Sequence, residues 1–238
     1  MLQYCLAVFP INDNTRHNQR IILMTIKLSK ASKMPCKSWS LQALDTCPAS
    51  RTTSGDLVDA CKGCYATTGN YRFPNVKAPR EHNREDWKRE SWVTEMVQEL
   101  DTERYFRWFD SGDMYDIRLA RKILEVMKAT PWVKHWLPTR MYKFYKFMPV
   151  IHAMQSLDNV VVRLSSDSVT GEVIEGATTS TIATLDTVPA GSVVCEAYTR
   201  EGKCGACRSC WDKGTAVVTY IGHGKSMVKQ QSNLIAVG

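Results

Sequence analysis

Three short runs of β-forming residues recur along the middle of the chain at a nearly constant interval. They are residues 105–109, 133–137 and 160–164. Each of the last two begins about 28 residues after the run before it, the length of one strand–helix unit. Strands joined by such crossovers lie parallel in one sheet with helices against it. The interval therefore predicts a parallel α/β sheet.

Between these runs, apolar residues at helical spacing predict helices over residues 83–100, 114–128 and 141–154. Asn83 is a candidate cap for the first helix, and Pro131 ends the second. Beyond residue 164 the interval shortens, with candidate strands near Ile182, Val193 and Val217 and no long helix between them. We expect an α/β fold of βα repeats, TIM-barrel-like but incomplete or distorted, with cysteine-rich loops. An open α/β sheet is also compatible with the pattern.

The 238 residues contain no Pro/Gly-rich linker and no low-complexity run, which favours one domain over residues 24–238. Residues 1–23 differ from the rest, and Met24 offers a second start. An N-terminal extension over residues 1–23 and an ordinary beginning of the domain both stay open.

The sequence contains no apolar run long enough for a transmembrane helix, so no membrane partner is expected. The first residues are apolar but lack the basic start and cleavage site of a secretory signal. A cytosolic, thiol-reducing setting follows, in which clustered cysteines bind metal more often than they form disulfides.

The C-terminal cysteines have the spacing of a metal-binding loop. Cys204, Cys207 and Cys210 are separated by two residues each, and Cys195 precedes them by nine positions. Three thiolates at this spacing can take three corners of a [4Fe–4S] cluster, and four thiolates can close a zinc site. Both metals stay open, and residues 24–238 become a candidate iron–sulfur domain.

A second group of cysteines lies near the N-terminus, and its metal-ligand candidates are Cys36, Cys47, Cys61 and Cys64. Cys61 and Cys64 form a CxxC pair, which is also typical of a reversible redox dithiol. Both groups can lie at the same mouth of a parallel sheet. The predicted cluster ligands are Cys64, Cys195, Cys204, Cys207 and Cys210.

Polar residues follow the predicted strands, where βα folds place their functional side chains. Asp110 and Arg140 are the two candidates for a catalytic role, with Arg140 as an anion clamp. Asp113 is interpreted as a helix cap, and Asp167 as a turn residue or a member of the same site.

Several motifs together resemble the phage gene product 88 family, over about residues 27–229. They include Cys47-Pro48, Cys61-Lys62-Gly63-Cys64-Tyr65-Ala66, Asp110-Ser111-Gly112-Asp113 and Cys207-Arg208-Ser209-Cys210-Trp211. The resemblance implies a bacteriophage protein of the host cytoplasm with a barrel-like α/β fold and an iron–sulfur cluster. A weaker likeness is to radical-SAM enzymes, but Cys204, Cys207 and Cys210 read CxxCxxC where those enzymes have CxxxCxxC.

The function we expect is therefore that of a [4Fe–4S] protein in electron transfer or redox chemistry, with a host or phage redox partner. Whether the chain is an enzyme stays open. The alternative is a zinc-stabilised module that binds nucleic acid through its basic N-terminal third. Residues 1–90 carry 14 Lys and Arg against 8 Asp and Glu, an imbalance that attracts polyanions.

Overall fold

The computed structural model describes residues 26–235, so the predicted extension over residues 1–23 lies outside the described part. Seven strands form one sheet, and every pairing is parallel. The strands are β1 (Ser38–Trp39), β2 (Tyr105–Trp108), β3 (Lys134–Thr139), β4 (Val160–Ser165), β5 (Thr179–Ala183), β6 (Val193–Val194) and β7 (Val217–Ile221). The helices are α1 (Asp59–Lys62), α2 (Pro74–Asp86), α3 (Trp92–Glu99), α4 (Ile117–Ala129), α5 (Met148–Gln155) and α6 (Lys225–Ile235).

The sheet order β1-β2-β3-β4-β5-β7-β6 confirms the predicted α/β class and its parallel sheet. Strands β2, β3 and β4 alternate with helices α4 and α5, as the interval of the β-forming runs predicts. Within residues 26–235 no ladder joins β1 to β6, so the structure shows the sheet but not a closed barrel. No helix in this range is long and apolar enough to span a membrane.

The helix predicted over residues 83–100 is two helices, α2 and α3, with a break at residues 87–91. Arg89 lies in the break and donates to Asp86 at 2.6 Å and to Glu95 at 2.5 Å, so one guanidinium ties the two helices together. Asn83 lies inside α2 and does not cap it. Its amide donates to the carbonyl oxygens of Lys27 and Ser40.

The helix predicted over residues 141–154 is also shorter than expected. Two 3-10 turns, Met141–Lys143 and Tyr145–Phe147, precede α5, which begins at Met148. Pro149 stands in the first turn of α5, a position that proline favours because its missing N–H has no partner there. Proline preorganises the start of α5 at that point, and this explains why the α-helix does not extend back to Met141.

One face of the sheet packs against the helices and forms the main core. Phe106 and Trp108 of β2 point to this helix-covered face together with Trp39, Trp92 and Leu137, and all five are fully buried. Side chains alternate between the faces of a strand, so Tyr105, Arg107 and Trp136 lie on the opposite face. Cys36, Cys204 and Cys210 lie on that second face.

His135 is buried in the core as a neutral imidazole. Its Nδ1 accepts a hydrogen bond from Trp108 Nε1 at 3.3 Å, and Nε2 lies 2.9 Å from Thr130 Oγ1. The Thr130 hydroxyl donates to Val126 O, so the network assigns the ring proton to Nε2. Burial lowers the pKa of His135 to about 3.

We expect the free energy of unfolding to fall as the pH drops below about 6.5, the ordinary pKa of histidine. Between about pH 3 and 6.5 the unfolded chain binds a proton that folded His135 refuses, a loss of up to about 1.4 kcal/mol per pH unit. Urea unfolding across this range measures it. His135→Gln should flatten the profile, whereas His152→Gln, at an exposed position, should leave it unchanged. Equal slopes in all three proteins would contradict the assignment.

Candidate metal centre

The face of the sheet opposite the helices is covered by loops and holds a second buried cluster. Met34, Cys36, Trp136 and Trp211 form it, and Cys204 and Cys210 pack against it. We call this the loop-covered face. Its cover is the segment of residues 31–36 and the cysteine loop, residues 195–212. The Trp211 indole anchors the end of this loop by donating to Phe106 O at 2.9 Å.

Arg163 holds the cysteine loop in place from the middle of β4. Its side chain is fully buried, and its nitrogens donate to four carbonyl oxygens of residues 209–215, with a fifth, Ala216 O, at 3.5 Å. The acceptors and distances are Ser209 O at 2.7 Å, Cys210 O at 3.2 Å, Asp212 O at 2.9 Å and Thr215 O at 2.9 Å. A guanidinium presents five donors in a fixed fork, so one arginine can template a backbone that forms no regular structure. The conformation around Cys210 therefore depends on Arg163.

Backbone hydrogen bonds bring the distant cysteines to this face. Cys195 N donates to Thr219 O of β7 at 2.8 Å. Cys204 N donates to Lys33 O at 2.9 Å, which joins the cysteine loop to the segment that carries Cys36. These two bonds place the cysteine loop and the segment of Cys36, which are far apart in the sequence, over one face.

The electrostatic neighbours of each thiol divide the described cysteines into two sets. Burial raises the pKa of Cys36 to about 12, and Cys204 adds to the rise. Burial also raises the pKa of Cys204, with further contributions from Cys195 and Cys207, and that of Cys210, with one from Cys195. We call this set the loop-face cysteines: Cys36, Cys195, Cys204, Cys207 and Cys210.

Two of the loop-face cysteines make side-chain hydrogen bonds. Cys210 Sγ lies 3.4 Å from the Tyr220 hydroxyl, and Cys207 Sγ lies 3.5 Å from the Ser209 hydroxyl. The Ser209 contact lowers the pKa of Cys207, the exposed member of the set. A cavity of about 90 Å³ beside the set is lined by Lys33, Cys195, Tyr198, Gly202, Tyr220, Ile221 and His223.

The other set, the strand-end cysteines, comprises Cys47, Cys61 and Cys64. The pKa of Cys47 is raised to about 12, mainly by burial. The charge of Asp113 raises it further, and Cys61 and Cys64 make smaller contributions in the same direction. Cys64, predicted from sequence to join the C-terminal four, lies in this set, while Cys36 lies with the C-terminal four. The CxxC turn packs closely on α6, where a Cβ on Gly63 would lie 3.0 Å from Met227 Cα.

Arg140 lies beside the strand-end cysteines. Its charge lowers the pKa of Cys61 and of Cys64, both of which burial raises more strongly. The guanidinium also donates to Asp167 Oδ1 at 3.2 Å and to Ser166 O at 2.6 Å. The predicted convergence of Arg140 and Asp167 after neighbouring strands is therefore present, next to thiols.

Asp113 does not cap α4, contrary to the sequence interpretation. Asp116 begins that helix by accepting from Arg118 N at 2.8 Å. Asp113 instead accepts from Thr139 Oγ1 at 2.7 Å and from Arg140 N at 2.9 Å, so it ties the end of β2 to the end of β3. Burial raises its pKa, and these donors oppose the rise.

Asp110 forms a buried ion pair. Arg80 Nη2 contacts both carboxylate oxygens, at 3.1 and 2.9 Å, and the Tyr71 hydroxyl donates to Oδ2 at 3.1 Å. Arg80 Nε also donates to Ser111 Oγ at 2.7 Å. Arg80 and Tyr71 thus contact both oxygens of the Asp110 carboxylate, and the Arg80 contact connects α2 to the loop after β2.

All eight cysteines of residues 26–235 are free thiols. In the same range no three His, Cys, Asp or Glu side chains already stand in a metal-binding arrangement. The loop-face cysteines are therefore neighbours held over one surface, and their side chains must turn toward a common centre to share a metal.

Comparison with known proteins places the chain in a family. No curated protein and no solved structure matches it. A family model described as gene product 88 matches residues 12–213, most of the chain, and this match includes the eight cysteines of both sets. The chain therefore belongs to the gene product 88 family, a family of phage gene products.

Proposed function

We propose that the loop-face cysteines hold a [4Fe–4S] cluster and that the protein acts in electron transfer or redox chemistry. The observation that carries this proposal is the gathering of five thiols, from the cysteine loop and from the distant segment of Cys36, over one sheet face. Such a cluster supplies a one-electron couple whose potential depends on its hydrogen bonds, charge and exposure. We also propose that the sheet is curved like part of a barrel, as the βα repeat predicts. The loop-covered face would then be the inner face of that barrel, and the loops would fill it.

The chemistry of the donor set fits an iron–sulfur cluster. The loop carries the CxxCxxC spacing, and the Tyr220 hydroxyl reaches Cys210 Sγ, a contact of the kind that tunes cluster sulfur. Lys33 and Arg107 both lower the pKa of Cys204 against the effect of burial, so cations surround the thiols. In this proposal Cys36 is a cluster ligand in place of Cys64, which the sequence predicts as a ligand.

The test is iron and acid-labile sulfide per chain in protein purified without oxygen, together with visible absorption. We expect iron in the wild-type protein, little in Cys204→Ser and Cys207→Ser, and a strong reduction in Cys36→Ser. Cys47→Ser is the matched control, because it removes a buried thiol of the other set. Iron that survives in Cys36→Ser but is lost in Cys64→Ser would favour the ligand set predicted from sequence.

Zinc in place of iron is the outcome that overturns this proposal. Four of the same thiols suffice for a tetrahedral zinc site, so the second candidate is the zinc-stabilised nucleic-acid-binding module. An exposed aromatic and basic stretch after β3, with Tyr145 at 90% exposure between Phe144 and Lys146, gives that candidate a surface on which bases could stack. Colourless, zinc-loaded protein whose affinity for single-stranded DNA falls steeply with salt would support it.

The compartment and partners follow from the same proposal. A phage protein with eight reduced thiols suits the host cytoplasm, where a host or phage redox protein would exchange electrons with it. The strand-end cysteines remain a predicted second metal or dithiol site.

A further inference from the structure

Arg107 projects from β2 into the middle of the loop-covered face. Its guanidinium carbon lies 4.4 Å from the centre of the Trp136 ring, and Nη1 lies 3.5 Å from Met34 Sδ. Nη2 donates to the Tyr65 hydroxyl at 3.4 Å. Nε is inaccessible to solvent and has no hydrogen-bond partner. For a group with five donors, these contacts are few and long.

No carboxylate in residues 26–235 forms an ion pair with Arg107. The charge of Asp110 acts on Arg107, but its carboxylate is paired with Arg80, whose Nη2 contacts both oxygens. Arg163 differs from Arg107, because it is fully buried and satisfies its donors on five carbonyl oxygens. Within this part of the chain Arg107 is partly buried, its Nε is inaccessible to solvent and unpaired, and no carboxylate pairs with it. A cation held in this way is costly, which indicates that Arg107 faces an anion in the functional protein.

The groups around Arg107 identify that anion. Its two contacts Met34 and Trp136 belong to the buried cluster that includes Cys36 and against which Cys204 and Cys210 pack. The charge of Arg107 acts on all three thiols and opposes the effect of burial. The anions that can form within reach of the guanidinium are therefore cysteine thiolates.

We infer that Arg107 is the internal counter-cation of the thiolate–metal centre on the loop-covered face, a positioning residue that sets the charge balance of the centre. This inference rests on the proposed function. Four thiolates around a [4Fe–4S] core leave a net negative charge that grows on reduction. A fixed cation beside three of the ligands favours the reduced state and assists release of the thiol protons when metal binds.

The test compares Arg107→Met and Arg107→Lys with wild type. In Arg107→Met the loss of the cation should change the equilibrium constant for reduction at least tenfold, which lowers the midpoint potential by 59 mV for a one-electron couple. Arg107→Lys retains the charge and should recover most of this shift. Arg121→Met is the matched control, because it removes the same charge from an exposed position on α4 and should leave the potential unchanged.

A second measurement separates charge balance from packing. Without metal, Arg107→Met should be as stable as wild type or more stable in urea, because it removes a buried cation that lacks a counter-charge. An unchanged potential, or a large loss of stability in the metal-free variant, would overturn the inference. If the wild type holds zinc, the proposed function fails, but a tenfold weaker zinc affinity in Arg107→Met would still support Arg107 in this role. A wild type that binds neither metal overturns both.

Discussion

Replacing Arg163 with Met is expected to lower the free energy of unfolding by about 4 kcal/mol and to abolish metal binding on the loop-covered face. The substitution retains an apolar stem of similar length but removes the donors for Ser209, Cys210, Asp212 and Thr215. Buried acceptors left without donors cost about 1–3 kcal/mol each, and the sum is limited by how far the loop can relax into water. Because the same carbonyls fix the loop around Cys210, we expect the proposed metal site to be lost together with the stability.

Urea unfolding and iron content per chain test both parts of this result. Arg104→Met serves as the control, since Arg104 is exposed and its side chain reaches only the carbonyl of its neighbour Glu103. Arg163→Lys should be intermediate, because an ammonium cannot reproduce the planar fork. A stable Arg163→Met protein with full iron content would show that the loop orders without its template.

The second large effect is expected at the ion pair between α2 and the loop after β2. Arg80→Met should lower the free energy of unfolding by about 3–5 kcal/mol, the range for removing one partner of a buried pair. The loss arises because Asp110 keeps a buried carboxylate that Tyr71 alone then contacts. Chemical denaturation at neutral pH measures the change.

The double variant Arg80→Met/Asp110→Leu distinguishes the ion pair from simple packing. Replacing both charges with apolar side chains removes the uncompensated carboxylate, so the double variant should be more stable than Arg80→Met alone. If the effects of the two substitutions on the free energy of unfolding simply add, the broken ion pair is not the source of the stability lost in Arg80→Met. The comparison also tests Asp110 as a catalytic candidate, since a purely structural aspartate leaves redox behaviour unchanged once the fold is restored.

The elements that sequence predicts well are those specified by neighbouring residues. The runs that become β2, β3 and β4 are short, β-rich and evenly spaced, so local composition and the crossover length suffice. The errors occur where a distant group decides the outcome. The first predicted helix is two helices, and Arg89 pairs with Asp86 and Glu95 at the break between them. Asp113 does not cap the next helix, because its carboxylate accepts from Arg140 N at the end of β3.

The candidate site shows the same division. The CxxCxxC spacing of Cys204, Cys207 and Cys210 is visible in the sequence, but their association with Cys36 depends on a hydrogen bond from Cys204 to Lys33, far away along the chain. Sequence reasoning also overlooked Arg107 and Arg163. Each is a charged residue inside an aromatic or apolar strand, Phe106-Arg107-Trp108 and Val162-Arg163-Leu164, and that interruption is a signal that could have identified them.

The position of β7 between β5 and β6 has a consequence for the order of assembly. Strand β6 leaves the ribosome before β7, yet β7 is the one strand that pairs with it within residues 26–235. The segment that leads into Cys195 therefore cannot dock on the sheet until Val217–Ile221 has emerged. The segment of Cys36, near the opposite end of the chain, gains its hydrogen bond from Cys204 N to Lys33 O only when the cysteine loop has emerged. A nascent chain thus exposes the thiols of the loop-covered face throughout most of translation and gathers them only in the final stage.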